Sequence, residues 1–336
     1  MAATLRDVAD RAQVSIRTVS NVVSGYEHVS EKMRERVTRA IDDLGYSPNP
    51  IARTLRTGKT GLLSLVVPEI DVPFFSELAR AVIDEADALG FQVMIDQTGH
   101  DHERERQLLR SGARRNLFDG MLFAPLATQD ELSDLEASDT LPLILLGEHV
   151  FDGRFDHVAI DNVQAAHDAT THLLERGRSR IAAIGAQPKE TYATPLQRSE
   201  GFRLALEEHG LEPVTALQMD APHYGRADGY AAATALIEQN PGLDAIFCYS
   251  DLLAMGAIRS VFDAGLRVPD DIAVIGIDDI QEGRFSRPSL STVSLDTPYI
   301  ARTAVERLAA RIEDPDVPAN EVIAPHELIP RESTQG

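Results

Sequence analysis

Apolar residues along the first sixty positions recur at the spacing of short helices. The first run has apolar or small residues at intervals of three and four, at Leu5, Val8, Ala9 and Ala12. Thr4 precedes this run and Asp7 follows three residues later, so the pair predicts a capping box at the start of a helix. The pattern therefore predicts a first helix that begins just after Thr4.

Two further helices are predicted before residue 50. Ser15 is the expected cap of the second, whose apolar side is formed by Val19, Val22 and Val23. Ser30 is the expected cap of the third, and Gly45 lies just past its end. The apolar face of the third helix consists of Met33, Val37, Ala40, Ile41 and Leu44.

After residue 60 the pattern changes to apolar runs that alternate with amphipathic stretches. "LLSLVVP" precedes "FFSELARAVIDEADALG", and "FQVMIDQ" precedes "HERERQLLRSGARRN". "TQDELSDLEAS" is a further helix-like stretch, and a second strand–helix series begins near Asp156 and returns at "LSTVSLD". Such alternation predicts parallel sheets covered by helices on both faces. Two series predict two doubly wound subdomains in an α/β fold.

Charge is distributed unevenly along the chain. The net charge is −21, but residues 1–60 hold ten Lys and Arg against seven Asp and Glu, which leaves +3 there and −24 in the remainder. A basic head on an acidic body is a charge asymmetry that calls for an explanation, and a chance local excess of arginine remains the alternative. The apolar runs are too short to span a bilayer, the N-terminus has charges where a signal peptide needs apolar residues, and Cys248 is the single cysteine. We expect a cytoplasmic protein.

The first two predicted helices leave a particular set of residues outside their shared apolar core. These residues are Ser15, Ile16, Arg17, Thr18, Ser20 and Asn21. A short turn between two helices, with polar and basic residues at the start of the second, is typical of a helix that enters the major groove of DNA. A small helical domain with a polar surface remains the alternative.

Longer motifs identify a family. "TLRDVADRAQVSIRTVSNVVSG", "VSEKMRERVTRAIDDLGYSPN" and "ARTLRTGKT" resemble the DNA-binding head of the LacI/GalR family of bacterial transcription regulators. "VPFFSELARAV", "RSEGF", "YSDLLAMGAIRSVFDAGLRVPDDIAVIGIDD" and "SRPSLSTVSLD" resemble its periplasmic-binding-protein-like core. The resemblance implies a helix-turn-helix head at 1–48 and a hinge helix at 49–59. It implies a core of two subdomains, the N-subdomain at 60–160 and 293–320 and the C-subdomain at 161–292 and 321–331.

The resemblance also implies which residues contact DNA. Ile16, Arg17 and Asn21 match base-reading positions, and Arg17 has the geometry for a bidentate contact with guanine. Ser15, Thr18 and Ser20 are expected to bind phosphates or to cap and pack the helix. Gln13 departs from the family, which usually has glycine at this turn because the residue there has a positive φ.

The hinge segment "NPIARTLRTG" matches a helix that lies in the minor groove. Leu55 matches a leucine that wedges between base pairs, Ala52 matches a small residue beside the groove, and Asn49 is also expected to bind DNA. An isolated helix of this length is marginal in water, so it is expected to order over DNA. A plain linker is the alternative.

The effector site implied by the resemblance lies between the two core subdomains, outside the carboxyl ends of the strands. The matching residues are Phe74, Phe75, Gln97, Arg198, Tyr224 and Asp278. Aromatic rings with an Arg and an Asp suit a sugar, although packing remains open for the two phenylalanines and surface exposure for Tyr224. Asp251 is expected to cap a helix. Gly147 stands where some relatives have an acidic residue, which leaves the identity of a sugar open.

Other protein classes find less support. The chain has no dinucleotide-binding, Walker A, zinc-protease or nucleophile-elbow motif, and His100 and His102 fit a solvated loop better than a metal site. An enzyme or a solute-binding protein on a doubly wound fold remains the alternative. We predict a repressor without a cofactor that acts as a homodimer on a pseudo-palindromic operator and responds to a small molecule, expected to be a carbohydrate.

Overall fold

The computed structural model describes residues 3–23, 26, 28–46, 59–99, 101–125, 141–147, 153–187, 193–214 and 217–335. The chain divides into two compact units, a head at Met1–Gly61 and a core at Leu62–Gly336. Of the sequence-based predictions, those for Asn49, Ala52 and Leu55 lie outside the described residues, as does the helix expected within residues 128–138.

The head contains the three predicted helices, α1 (Leu5–Ala12), α2 (Ile16–Val23) and α3 (Glu31–Leu44). The capping box of α1 is present: Thr4 N–H donates to Asp7 Oδ2 at 2.8 Å, and Asp7 N–H donates to Thr4 Oγ1 at 3.3 Å. The helices enclose a buried apolar cluster of Val8, Ala9, Ala12, Val19, Val22, Val37 and Ala40. The periodicity of the sequence therefore identified the head core.

Two details of α3 differ from expectation. Ser30 occupies the N-cap position, but its side chain makes no capping hydrogen bond, and its backbone carbonyl accepts from Met33 N–H at 2.9 Å instead. Leu44, expected on the apolar face, is exposed because it lies in the last turn, next to the left-handed Gly45 (φ 57°) that ends the helix.

The core contains two sheets of six strands each among the described residues. The first sheet has the order β11-β5-β4-β3-β1-β2 and the second has the order β12-β10-β9-β8-β6-β7. The strands of the first sheet are β1 (Leu62–Val67), β2 (Gln92–Gln97), β3 (Gly120–Phe123), β4 (Leu143–Leu146), β5 (Asp156–Ile160) and β11 (Glu321–Ala324). Those of the second are β6 (Ile181–Ala186), β7 (Gln218–Asp220), β8 (Ala245–Cys248), β9 (Ala273–Asp278), β10 (Ser291–Leu295) and β12 (His326–Ile329).

Helices connect these strands and cover the sheets. Those described before β6 are α4 (Pro73–Ala88), α5 (His102–Arg110), α6 (Gly112–Leu117) and α7 (Asn162–Glu175). The later ones are α8 (Ala193–Glu208), α9 (Arg226–Gln239), α10 (Asp251–Asp263), α11 (Gln281–Phe285) and α12 (Thr297–Glu313). The stretch "HERERQLLRSGARRN", expected as one helix, is divided into α5 and α6 at Ser111, whose backbone is extended.

The two sheets share one strand order, in which β1 and β6 hold equivalent places beside the edge strands β2 and β7. Their strands pair in parallel, as the continuous apolar runs predicted, and the central strands are almost fully buried. The exception is β12, which pairs with β10 in the antiparallel sense. A single residue, Pro325, separates β11 from β12, so the chain has no room for a crossover helix before β12.

The chain passes from one sheet to the other at three places. These lie between β5 and α7, between β10 and α12, and between β11 and β12. The predicted subdomain boundaries are therefore wrong in two respects. Residues 293–295 belong to β10 in the second sheet, because the strand continues beside β9. Residues 321–324 belong to β11 in the first sheet, where they pair with β5.

A buried aspartate holds β11 and α12 against the first sheet. Asp156 is 1% exposed at the start of β5 and accepts hydrogen bonds from the guanidinium groups of Arg307 and Arg311 on α12. It also accepts from the backbone N–H of Asn320 at 3.1 Å, just before β11. These long-range contacts, rather than any local pattern, place residues 321–324 in the first sheet.

Candidate functional site

In the head, the start of α2 is presented outward. Ile16 is 44% exposed, Arg17 and Ser15 are exposed, and Thr18, Ser20 and Asn21 are partly buried. Ser15 Oγ accepts from Thr18 N–H at 3.0 Å and lies 2.8 Å from Thr18 Oγ1. Ser15 thus caps the start of α2, where Ile16 and Arg17 are also exposed.

The turn before α2 has the left-handed backbone that the family pattern implied. Gln13 has φ 51° and ψ 51°, and its N–H donates to the carbonyls of Ala9 and Asp10. The N–H of Val14 returns to Ala9 O at 3.0 Å, and the Arg36 guanidinium donates to Gln13 O at 3.4 Å. The turn forms without glycine, at the conformational cost that a side chain has in this region.

The core holds a cavity of ≈ 200 Å³ between its two sheets. Residues that follow the carboxyl ends of strands from both sheets line it, among them Pro68 after β1, Ala124 after β3 and Gln187 after β6. Ligands of doubly wound folds bind at this edge, beside the strand where the order reverses. The cavity is therefore the candidate binding site of the core.

Five of the six predicted core residues line this cavity. They are Phe74, Phe75, Arg198, Tyr224 and Asp278. The sixth, Gln97, is not one of the described residues that line the cavity. Gln97 is exposed at the end of the edge strand β2, and its Oε1 accepts from Ile70 N–H at 3.4 Å.

Phe74 and Phe75 lie in the first turn of α4, after Pro73 at its first position. Their rings pack edge to face, with centroids 5.3 Å apart, and both also contact the core cluster. These rings therefore pack the entry of the helix and also line the cavity, and their contact with an effector stays a prediction.

Arg198 is 7% exposed and is held on α8 by defined contacts. Its Nε donates to Asn162 Oδ1 at 2.9 Å, and its Nη1 donates to the carbonyl of Tyr249. Gly201, one turn later, has no room for a side chain, because a Cβ would lie 2.1 Å from Val163 O. The "RSEGF" motif thus lets α8 approach α7 closely and brings Arg198 to the cavity.

Tyr224 has a left-handed backbone (φ 52°) and is partly buried rather than on the open surface. Its hydroxyl donates to Gly185 O at 2.6 Å, and its carbonyl lies 3.5 Å from Ser250 Oγ. The ring therefore has a fixed position at the wall of the cavity, with its polar end turned to the protein.

Asp278 ends β9 with φ 124°, a conformation that is unusual for a residue with a side chain. Burial raises the pKa of its carboxyl to about 7, Arg198 opposes this rise, and Glu77 adds to it. Near neutral pH this carboxyl can therefore both accept and donate a proton at the cavity wall.

Asp251 is neither a cap nor part of the cavity wall. Ser250 caps α10, accepting from Leu253 N–H at 3.3 Å. Asp251 is fully buried and accepts from Ile280 N–H at 3.0 Å and from Thr292 Oγ1 at 2.7 Å. Burial raises the pKa of this carboxyl well above its ordinary value, and Asp278 contributes to the rise.

The second aspartate of "GIDD" has a structural role. Asp279 accepts from Arg284 Nη2 at 2.6 Å and Ser294 Oγ at 3.1 Å, and it also pairs with Arg331. It thus connects the end of β9 to α11, β10 and the C-terminal segment. The two adjacent aspartates therefore differ, since Asp278 faces the cavity and Asp279 is paired with arginines.

Sequence reasoning missed Asn162, Thr194 and Gln187, which also line the cavity. Asn162 Nδ2 donates to Thr194 Oγ1 at 3.4 Å and to Gln197 Oε1 at 3.2 Å. A signal existed for Asn162, because it follows "HVAID" directly and so lies at a strand end. Gly147 also lines the cavity and has a left-handed backbone (φ 73°). Its carbonyl oxygen lies 3.0 Å from His157 Nε2.

Other kinds of site are not formed by the described residues. These residues include no group of three or more His, Cys, Asp or Glu that would hold a metal. In this same part of the chain, no helix has the length and apolar character to cross a membrane. Cys248 is buried, and burial raises the pKa of its thiol well above the ordinary value, which makes it unreactive.

Comparisons with known proteins find relatives for both the head and the core. Residues 4–49 match the family described as bacterial regulatory proteins, lacI family, and residues 170–334 match the periplasmic binding protein-like domain. The ribose operon repressor of Halalkalibacterium halodurans is 33% identical over 338 residues, which cover 99% of this chain and 97% of the repressor.

Two solved structures show the same relationship. A LacI-family transcriptional regulator from Sanguibacter keddieii is 38% identical with a TM-score of 0.75, covering 83% of this chain and 100% of that one. The transcriptional regulator CelR in complex with cellobiose is 31% identical with a TM-score of 0.73, covering 98% of this chain and 99% of that one. The chain therefore belongs to the lacI family of bacterial transcriptional regulators.

Proposed function

We propose that this regulator binds a pseudo-palindromic operator as a homodimer and that a small molecule in the core cavity sets its affinity for that operator. The observation that carries the proposal is the cavity itself, which is enclosed by residues of both sheets and contains the buried Arg198. A ligand that contacts both subdomains stabilises one closure state of the core over the other. If the two closure states differ in their affinity for DNA, the ligand changes the affinity of the head for its operator.

The head supplies the contacts with DNA in this proposal. Arg17 reads guanine, Ile16 contacts a thymine methyl, and Asn21 reads a base one turn later, while Ser15, Thr18 and Ser20 hold phosphates near the start of α2. The exposed position of Ile16 and Arg17 supports this assignment. The hinge contacts of Asn49, Ala52 and Leu55 rest on the sequence resemblance.

The proposal also covers the class of effector, the dimeric state and the cellular location. The CelR complex contains cellobiose, which supports a carbohydrate as one effector class for this chain. Repression, a dimeric state and action in the cytoplasm follow from the family's mode of action rather than from a contact in the structure. Catalysis has no part in the proposal.

Binding of genomic DNA by the full chain tests the proposal. Purified protein is incubated with a fragment library of the source genome, bound fragments are recovered, and their affinity is compared with random duplex at one fixed salt concentration. We expect at least one fragment bound on the order of a thousandfold more tightly than random duplex. Equal affinity for all duplexes, with and without candidate effectors, would rule the regulator out and favour a solute-binding protein or an enzyme.

A further inference from the structure

We infer that His157 is a buried imidazolium, protonated on both ring nitrogens, that positions Gly147 of the cavity wall against β11. The charge of His157 follows from its own contacts, whereas the use of Gly147 in an effector site rests on the proposed function of the cavity. His157 is not among the described residues that line the cavity. It is therefore a positioning residue, which acts on the wall through Gly147.

His157 lies on β5, between the strands β4 and β11, and is 1% exposed. It is paired with Leu145 on β4 and with Glu321 on β11, and its backbone N–H donates to Asn320 O at 3.0 Å. Its ring reaches to both sides of the strand. Nδ1 lies 3.0 Å from Glu321 Oε1, and Nε2 lies 3.0 Å from the carbonyl oxygen of Gly147, which follows β4. The ring thus bridges β11 and the cavity wall.

These two partners of the ring are both hydrogen-bond acceptors. Gly147 offers a carbonyl oxygen, and Glu321, whose side chain is 36% exposed, offers a carboxyl group. Glutamate side chains that reach water are ionised near neutral pH. A neutral imidazole has one N–H and one bare nitrogen, so it can donate to only one of the two oxygens. The doubly protonated ring is the form that donates to both, each at 3.0 Å.

A buried imidazolium needs a counter-charge, and Glu321 supplies it. The neighbouring carboxylate of Asp156 is engaged elsewhere, because it accepts from the guanidinium groups of Arg307 and Arg311 on α12. Successive side chains of a strand point to opposite faces of the sheet, so Asp156 and His157 serve different partners. The start of β5 therefore holds the start of β11 through one anion and one cation.

Gly147 is held at both of its backbone polar groups. Its N–H donates to Val158 O at 3.0 Å, and its carbonyl accepts from His157 Nε2. Its φ of 73° lies in the region that favours glycine, so its backbone forms this part of the cavity wall without a side chain. On the other side of the ring, β11 leads through Pro325 to β12 in the second sheet. The imidazolium therefore joins the cavity wall to the third crossover between the subdomains.

NMR of the full-length protein, labelled with carbon-13 in its histidines, measures the charge of the ring, because the Cε1 chemical shift depends on the number of ring protons. His157→Gln and His172→Gln each remove one signal and so assign it. His172 is the internal control, since burial and Arg176 lower its pKa and keep it neutral near neutral pH. We expect the His157 signal at the doubly protonated position and the His172 signal at the neutral position. A singly protonated His157 would overturn the inference.

Glu321→Gln removes the counter-charge and keeps the shape of the side chain. Its amide can donate to Nδ1, so a neutral His157 then satisfies both contacts, and we expect the His157 signal to move to the neutral position. This movement also assigns the signal if His157→Gln does not fold. A signal that keeps its position in Glu321→Gln would show that Glu321 does not hold the ring in its charged form, which contradicts the inference.

His157→Phe removes both contacts and tests the positioning role. In the full chain, hydrogen exchange of the segment Leu143–Gly147 should become roughly two- to tenfold faster, while exchange of β8 (Ala245–Cys248) in the second sheet stays the same. Glu321→Gln, which keeps a donor for Gly147, is the matched control and should leave both segments unchanged. Unchanged exchange of Leu143–Gly147 in His157→Phe would rule out the positioning role. These measurements use neither DNA nor an effector, so their failure is distinct from failure of the proposed function.

Discussion

Arg198 Nε donates to Asn162 Oδ1 at 2.9 Å, and this bond joins the cavity to the first crossover between the subdomains. Asn162 begins α7 two residues after β5 ends, so it lies where the chain leaves the first sheet. A ligand that engages Arg198 therefore acts on a side chain bonded directly to a connecting segment. Such segments absorb the backbone rotation when two domains close.

Removal of the Asn162 amide should weaken the core. Asn162→Ala leaves Arg198 Nε without its acceptor in a buried site, and we expect the free energy of unfolding to fall by about 1–3 kcal/mol. Urea denaturation measures this change. Gln164→Ala, an exposed residue in the same turn of α7, should change stability by less than about 0.5 kcal/mol. Equal effects would show that the buried amide has no special role.

Arg17 should determine sequence preference. Arg17→Ala is expected to reduce discrimination between the preferred fragment and random duplex by about 1–3 kcal/mol, with a smaller loss on random DNA. Fluorescence anisotropy on both duplexes measures this. Arg39→Ala removes the same charge from an exposed position of α3 and should weaken binding to both duplexes alike. If Arg17→Ala behaves as Arg39→Ala does, Arg17 contributes charge only.

Two substitutions at helix ends in the head should have opposite effects on its stability. Gln13 has φ 51° and Gly45 has φ 57°, so both occupy the region that favours glycine. Gln13→Gly should stabilise the head by up to about 1 kcal/mol, and Gly45→Ala should destabilise it by about 1 kcal/mol. Amide hydrogen exchange of residues 5–23 in the full chain measures both. A destabilising Gln13→Gly would mean that side-chain contacts of Gln13 outweigh its backbone strain.

Asp278 should make core stability depend on pH. Burial raises its folded-state pKa to about 7 from the ordinary 3.8, with Arg198 opposing the rise and Glu77 adding to it, while Asp251 is a further buried carboxyl coupled to it. The folded chain thus keeps a proton that the unfolded chain releases, and stability falls as pH rises from 3.8 to about 7.

Asp278→Asn removes this titration and retains the shape of the side chain. We expect the Tm of the variant to exceed that of the unmodified protein by a few degrees at pH 8, and the difference to shrink towards pH 5. Scanning calorimetry across this range measures it. A difference that is the same at both ends of the range would show that Asp278 is ionised throughout.

The parts of the molecule that local periodicity specifies were predicted well. The capping box of Thr4 and Asp7 joins residues three positions apart. The apolar positions of the head, such as Val8 and Val19, follow from helical periodicity, although the cluster they form also includes Val37 of the third helix. Phe74, Arg198 and Asp278, which the resemblance picked out, all line the cavity of the core, and their role in binding an effector stays a prediction.

The remainder depends on contacts between distant residues. The placement of β11 rests on Asp156, which meets residues more than 150 positions later, and no local pattern reports such a contact. Gln97 lies outside the cavity lining, and the sequence does not show that its strand, β2, is at the edge of the sheet. Asn162 was missed because its role comes from three partners on α8.

The central claim is that occupancy of the cavity changes affinity for a specific DNA. The direct measurement is the Kd of the full-length protein for its preferred fragment, by anisotropy at fixed salt, with and without a saturating concentration of a ligand shown by titration to bind. The account predicts a change of about 5- to 150-fold in one direction, with little change for random duplex. An identical Kd in both conditions for every ligand that binds would contradict it.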